Sequence, residues 1–481
     1  MADTDRIIDE LKAIVGDEYV IHKPEDLIVY EYDGSVDRAT PTAVVVAGST
    51  EEVSEVVKVS RRHNEPIVAR GAGTGLSGGA IAQLGGIVLS LTRMKRILEI
   101  DVENRVAVVE PGVVNLHLSD HVEQYGLYYA PDPSSQKACT LGGNVAENAG
   151  GPHCLAYGVT TNHVLGMEVV LADGTVEWFG GKTRESSGYD LRGIMIGSEG
   201  TLGFVTKIVV RLLKKPESVK TLLAVFKELD HASAAVSGII AAGIVPAALE
   251  MMDGLCIRAA EAAVGAGYPE NAGAVLLVEI DGMDEAVEEE AAEVESVCSE
   301  FDPMEIRTAT DPSERERLWA GRKGVLGALG RLAPNYLLVD GTVPRTRLVE
   351  VLSRIKQISD ETGYPIANLL HAGDGNLHPS ILFDERKPGD TEAILKIGGD
   401  ILKICVEVGG VLSGEHGIGL EKQEYMPLMF TDDDLEAMAR LKPAFDTRDL
   451  LNPAKIFPTG ASFDGIAISA AVSRAGPDAW I

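Results

Sequence analysis

The chain has 481 residues, 45% hydrophobic and 24% charged, which is too long for one hydrophobic core and too apolar for a disordered chain. Its formal net charge of −30 excludes a general nucleic-acid binder, which needs a basic face to release counterions. No apolar run reaches the roughly eighteen residues of a membrane span. The acidic opening, MADTDRIIDELKAIVG, reads as an amphipathic helix closed by Gly16 rather than a signal or transit peptide, so a cytoplasmic protein is expected. Cys139, Cys154, Cys256, Cys298 and Cys405 are scattered without a C-x-x-C, signalling neither an iron–sulfur cluster nor a disulfide framework.

Residues 41–47 predict a strand, and Ser49 with Glu52 makes a capping box for a helix over 50–63 that leads to a second strand, PIVAR. That βαβ unit ends in RGAGTGLSGG, residues 70–79, and GIVLSL and RVAVVEPG follow as strands. The G-x-G-x-x-G of Gly73 to Gly78 departs from a dinucleotide fingerprint because the next segment is a strand and not a helix of several turns. What it keeps is a loop whose amides can surround a pyrophosphate. Two further glycine-rich loops, Leu141–Gly151 and Gly197–Gly203, flank a hairpin at Asp173-Gly174. Three such loops in one domain exceed what turns require, and one extended ligand lying across them, such as FAD, accounts for all three.

Lys214-Lys215-Pro216 marks a boundary. Beyond it TLLAVF, a helix over 229–242, AVLLVEI, a helix over 284–300 and EIRTA resemble the strand–helix units of a ferredoxin-like sheet. A helix containing LWAGRKG, the strand NYLLVDGTVP and a helix from LVEVLSRIKQ onward lead to HAGDGNLHP. A two-residue turn at Asp374-Gly375 would set His371 directly opposite His378. After a helix over 391–408 comes SGEHGIG, which supplies Glu415 and His416. Two imidazoles and a carboxylate, His371, His378 and Glu415, make a three-ligand site with open positions, as a catalytic metal requires, and leave His416 to move protons. Zinc, iron and manganese all accept that donor set. The expected domains are 1–215, 216–430, a returning segment over 431–460 and a loose tail over 461–481. The remaining histidines considered, His22, His63, His117, His121, His163 and His231, read as structural.

RGAGTGLSGG, YYAPDPSSQKACTLGGNVAENAGG, GSEGTLG, WAGRKG, HAGDGNLHP, SGEHGIG and LLNPAK together resemble the FAD-linked subunits of glycolate oxidases. These belong to the vanillyl-alcohol oxidase and p-cresol methylhydroxylase superfamily, in the branch with D-lactate and D-2-hydroxyglutarate dehydrogenases. The resemblance implies an α+β protein: a p-cresol methylhydroxylase-type FAD domain of two α+β subdomains, plus a ferredoxin-like cap. It also implies a divalent metal. Carried over by motif, the pyrophosphate loop is Arg70, Gly71, Ala72, Gly73, Thr74, Gly75, Leu76 and Ser77. Pro131, Asp132, Gly142, Gly143 and Asn144 border the flavin, and Glu199 and Gly200 lie near the adenosine half. No histidine stands in the pyrophosphate loop, so the FAD is expected to be noncovalent.

The resemblance further makes Arg322 the carboxylate-binding arginine, whose fork suits a bidentate clamp. Where dicarboxylate enzymes carry a basic residue, this chain has Leu337-Leu338-Val339, which favours glycolate or D-lactate over D-2-hydroxyglutarate. In the expected reaction the substrate chelates the metal, Arg322 fixes its carboxylate and His416 takes the hydroxyl proton as hydride leaves C2 for the flavin. Electrons then pass to an iron–sulfur subunit and a second flavin-domain subunit, placing the assembly at the inner membrane face, or to an electron-transferring flavoprotein. A reading from another class is a metal-dependent hydrolase in which His416 activates a metal-bound water.

Overall fold

The computed structural model describes residues 2–183 and 187–459; the tail expected over 461–481 lies outside them. The chain divides into two units. The first comprises 1–150, 159–214 and the chain from Glu415, and the second comprises 151–158 and 215–414. The return to the first unit therefore begins at Glu415 and not at 431. The sequence reading also did not foresee the short excursion Gly151–Gly158 into the second unit.

In the first unit the opening helix Ala2–Val15 ends at Gly16, whose φ of 95° suits only glycine. The strands Ala43–Val46, Ile87–Ser90 and Ile67–Arg70 are parallel neighbours, joined in chain order by the helix Thr50–His63. Ser49 caps that helix by accepting the Glu52 amide at 3.2 Å, while the Glu52 carboxylate reaches the Gly48 amide at 2.7 Å, so the box closes one residue early. Val45, Val53, Val56, Val57, Ile87 and Leu89 fill the core beneath. A second, antiparallel sheet runs Ile97–Asp101, Val106–Val109, Phe204–Arg211, Val164–Val170, Val176–Gly180. The last two strands form the hairpin expected at Asp173-Gly174, with Gly174 at φ 85°. Its own core contains Leu118, Leu141, Val145, Met167 and Ile208. The unit is thus two α+β halves. The closing segment adds to the first sheet, the Ile67 amide donating to the Leu450 carbonyl and the Asn452 amide to the Ile67 carbonyl, both at 2.8 Å.

The second unit is one antiparallel sheet. Its first four strands in chain order, Ser218–Phe226, Ala248–Asp253, Ala274–Gly282 and Pro303–Thr308, lie in the order 4-1-3-2. With the helices Leu229–Ala241 and Asp284–Ser299 they make the ferredoxin-like βαββαβ unit. The sheet continues through Ile366–His371 and Asn376–Phe383 to Asn335–Leu338, with Gly341–Thr342 beside the start of Asn376–Phe383. NYLLVDGTVP is therefore two short strands interrupted at Asp340. The helices Gly254–Val264 and Pro312–Leu329 share a core through Ile257, Ala260, Leu318 and Val325.

Candidate active site

In the first unit Arg70 ends its strand with a buried guanidinium. Its Nη2 donates to the Tyr32 carbonyl at 2.8 Å, and its Nη1 has no partner among the described residues. Burial pulls the Arg70 pKa down against the attraction of Asp33. A cleft is lined by Arg70 and Gly71, by Thr140, Gly142 and Gly143, and by Ser198 and Gly200. One part of each glycine segment thus meets the others at a single cleft. A Cβ on Gly71 would run into Thr140 Oγ1, so the cleft wall requires glycine there. An unpartnered guanidinium nitrogen beside a wall without side chains fits an extended anionic ligand such as the FAD pyrophosphate.

Ala72, Gly73, Thr74, Gly75, Leu76 and Ser77 are not among the lining residues of this cleft. Ser77 instead offers its carbonyl to the amides of Leu420 at 2.8 Å and Glu421 at 3.2 Å. The stretch read as a second loop is in part a helix, Leu141–Glu147. Thr140 Oγ1 caps it by accepting the Gly143 amide at 3.3 Å, and Asn148 closes it at φ 54°. Gly142 is needed for close packing, because a Cβ there would lie 2.6 Å from Pro111 Cβ. Asn115 Nδ2 donates to the Pro131 carbonyl at 2.9 Å and to Asn144 Oδ1 at 3.0 Å, tying Asn144 to the Pro131–Asp132 stretch.

Glu199, expected near the adenosine half, has its carboxylate held by the closing segment. Its Oε1 accepts the amides of Ile418 at 2.8 Å and Gly419 at 3.1 Å, directly after His416-Gly417. Glu147 packs against Gly417 and Gly79. Lys422 Nζ donates to the Gly417 carbonyl at 2.9 Å, and Lys455 Nζ to the Ile81 carbonyl at 2.6 Å. Burial pushes both carboxyls up, Glu147 well above the usual range because the Glu199 charge adds to it, and pulls Lys455 down to about 8. This buried cluster holds the segment that begins with Glu415 and His416. Those two side chains are about 12% exposed, and His416 Nε2 lies 3.8 Å from Glu415 Oε1, beyond hydrogen-bond reach.

In the second unit, HAGDGNLHP does not make the two-residue turn. His371 pairs with Asn376, and His378 with Leu369, so the loop is Ala372–Gly375. The loop is held open by its neighbours: the Gly373 amide donates to the Leu249 carbonyl at 3.0 Å, and the Gly375 carbonyl accepts the Val343 amide at 3.0 Å. A shift of two residues keeps both histidines on one face. They sit diagonally, rings edge to face with centroids 5.0 Å apart, and their nearest nitrogens are within 4.8 Å. Asp340 brings a carboxylate oxygen within the same 4.8 Å of His378. It also accepts Ser413 Oγ at 2.6 Å and the Gly414 amide at 3.2 Å, fixing the residue that precedes Glu415. Arg322, 1% exposed, pairs with the equally buried Glu250, and its Nε has no partner among the described residues.

Two family models match the chain, one described as an FAD binding domain over residues 41–180 and one as the C-terminal domain of FAD linked oxidases over 215–456. The chain belongs to the FAD-linked oxidase family. This FAD-linked oxidase is 46% identical over 462 residues to the glycolate oxidase subunit GlcD of Escherichia coli (strain K12), covering 95% of this chain and 93% of the relative. It is 36% identical over 456 residues to a D-lactate dehydrogenase of Archaeoglobus fulgidus, covering 93% and 98%. Substrate-bound p-cresol methylhydroxylase superposes with a TM-score of 0.79 at 19% identity, over 94% of this chain and 96% of that one, and shares its fold. The metal-dependent hydrolase reading falls with this membership, because an oxidase family puts the glycine segments to use at a flavin.

Sequence reasoning passed over Glu250, Asp340 and the partners of Glu279. Glu250 had one local signal, an acidic residue within the otherwise apolar run ALEMM. Asp340 was hidden in what read as an uninterrupted strand. Glu279 accepts Arg315 at 2.7 and 2.8 Å, Trp319 Nε1 at 2.6 Å and Thr221 Oγ1 at 2.8 Å. His153 of the excursion lies 3.3 Å from it, and Tyr157 donates to Asp281.

Proposed function

We propose that this FAD-linked oxidase oxidises a short D-2-hydroxy monocarboxylate, glycolate or D-lactate, to the 2-oxo acid. The observation that carries the reading is the buried pair His371 and His378 on one face of a hairpin, with Arg322 in the same core. The names of its relatives, a glycolate oxidase subunit and a D-lactate dehydrogenase, support the substrate class. Leu337, Leu338 and Val339, all buried, offer no partner for a second carboxylate and favour the shorter acids.

FAD would supply the hydride acceptor, and a divalent ion on His371, His378 and Glu415 would supply a Lewis acid for the hydroxyl and carboxylate. The two histidines fit such an ion by donor type and spacing, and Glu415 follows by one peptide bond the glycine that Asp340 anchors. Arg322 holds the substrate carboxylate through the side of its fork that Glu250 leaves free. His416 takes the hydroxyl proton at an imidazole nitrogen, a base matched to neutral pH. Arg70 and the glycine wall at Gly71, Gly142 and Gly143 hold the flavin phosphates. The five cysteines are dispersed and none is in a disulfide; electrons leave for a partner, an iron–sulfur subunit with a second flavin subunit or an electron-transferring flavoprotein. No helix among the described residues is long and apolar enough to cross a membrane.

Anaerobic mixing with glycolate, D-lactate, L-lactate and D-2-hydroxyglutarate tests the reading. Glycolate or D-lactate is expected to bleach the flavin band fastest, and failure of both sinks the substrate assignment. Prior chelation is expected to slow that bleaching, and an unchanged rate in metal-free protein removes the ion from the reaction.

A further inference from the structure

Glu250 lies in the strand Ala248–Asp253, directly opposite His371 in the neighbouring antiparallel strand. Both of its carboxylate oxygens are 2.9 Å from His371 Nδ1. The same carboxylate pairs with Arg322 Nη2, and that nitrogen is 3.3 Å from Nδ1. Glu250 and Arg322 are each 1% exposed and His371 is 4% exposed. Arginine is only a donor and an ionised carboxylate only an acceptor, so Nδ1 cannot serve both neighbours. The shorter contacts, and the charge that Glu250 must keep to balance a buried guanidinium, settle the choice. Nδ1 carries the proton and gives it to Glu250, which leaves the lone pair on Nε2.

We infer that Glu250 is a positioning residue: it fixes the tautomer and ring plane of His371 so that Nε2 is the nitrogen presented to a cation, while compensating Arg322. The inference rests on the metal reading proposed above for what Nε2 faces, but not for the tautomer. A carboxylate behind a ligating histidine raises its basicity, and loss of such a partner weakens metal affinity about 10–100-fold. A purely structural ion pair between Glu250 and Arg322 would leave both the tautomer and the affinity unmoved.

Two readouts on the full-length, flavin-loaded protein test this. In metal-free protein labelled with 15N-histidine, the His371 signals, assigned by their loss in His371→Ala, are expected to report the Nδ1–H form. An Nε2–H form overturns the inference whatever the fate of the metal. Zinc affinity is then measured by competition with a chromogenic chelator. Glu250→Gln is expected to bind zinc 10–100-fold more weakly than the parent, and Glu250→Asp to recover part of the loss. Because Glu250→Gln strands a buried cation, the double variant Glu250→Gln/Arg322→Met, which removes that cation, is measured as well and is expected to retain flavin yet bind zinc as weakly. Parental zinc affinity in the double variant overturns the inference. If the parent itself binds no zinc, the metal reading fails and the tautomer measurement alone decides the role of Glu250.

Discussion

Glu147 in the first unit and Glu279 in the second are both buried glutamates, and their surroundings drive them to opposite charge states. Burial pushes the Glu147 carboxyl well above its usual range, aided by the charges of Glu199 and Asp33, and its Oε2 has no hydrogen-bond partner among the described residues. Burial also opposes ionisation of Glu279. There, hydrogen bonds from His153 and Arg315 outweigh it and hold the carboxyl far below the usual range. The difference teaches that depth alone does not set charge: the number of donors aimed at the oxygens does. It also separates the tasks. The first unit gathers like charges beside Gly79 and Gly417, whereas the second uses an ionised carboxylate to fasten an excursion of chain onto its sheet.

The most severe break in this division is His378→Ala, expected to lower kcat/KM about 10³-fold or more with flavin content unchanged, since loss of the proposed Lewis-acid site would cost several kcal/mol. Steady-state kinetics with the flavin spectrum checks it, and parallel loss of flavin would show that the units do not divide the work. Next in size is Glu279→Gln, which removes the buried charge that Arg315 and Trp319 donate to and is expected to cost about 2 kcal/mol at neutral pH by urea unfolding. A depressed folded pKa means that the Glu279 contribution is present above the ordinary carboxylate pKa and lost as pH falls below it. The variant should therefore lose less stability than the parent on acidification below about pH 4. Gly71→Val, with its side chain driven at Thr140, is expected to cost about 1–3 kcal/mol and to release flavin while leaving His371 and His378 of the second unit intact. Smallest is Glu147→Gln, within about 1 kcal/mol of the parent at pH 5. A raised folded pKa means stability falls as pH rises from the unfolded value toward the folded one. The variant should flatten the parent's decline above about pH 5, and an unchanged slope would mean Glu147 is ionised as Glu279 is.

What could be read from the sequence was whatever is local. Ser49 and the helix after it, the Asp173-Gly174 hairpin and the two parallel strands around RGAGTG announce themselves within a few residues. The glycine segments were legible as a shared ligand site, but not in detail. Gly142 and Gly143 looked like loop residues because glycine is poor in helices, yet contact with Pro111 makes glycine necessary at Gly142. The strand Ala248–Asp253 escaped because both of its faces are buried, which erases the alternation that marks a strand. The pairing of His371 with Asn376 instead of His378 depends on bonds from Leu249 and Val343, far away in sequence. Glu250 and Asp340 escaped for the same reason, since each acquires meaning only from strands brought beside it.

The closing segment has a consequence for biosynthesis. Asn452 Nδ2 donates to the carbonyls of Gly79 at 2.9 Å and Glu199 at 2.6 Å, and Lys455 to that of Ile81, across up to 374 residues of chain. The stretch from Gly79 to Ile81 therefore emerges from the ribosome long before the residues that pin it, and most of the second unit is made in between. Completion of the first unit becomes a late event, one that a nascent chain cannot reach until its Asn452–Lys455 stretch has been synthesised.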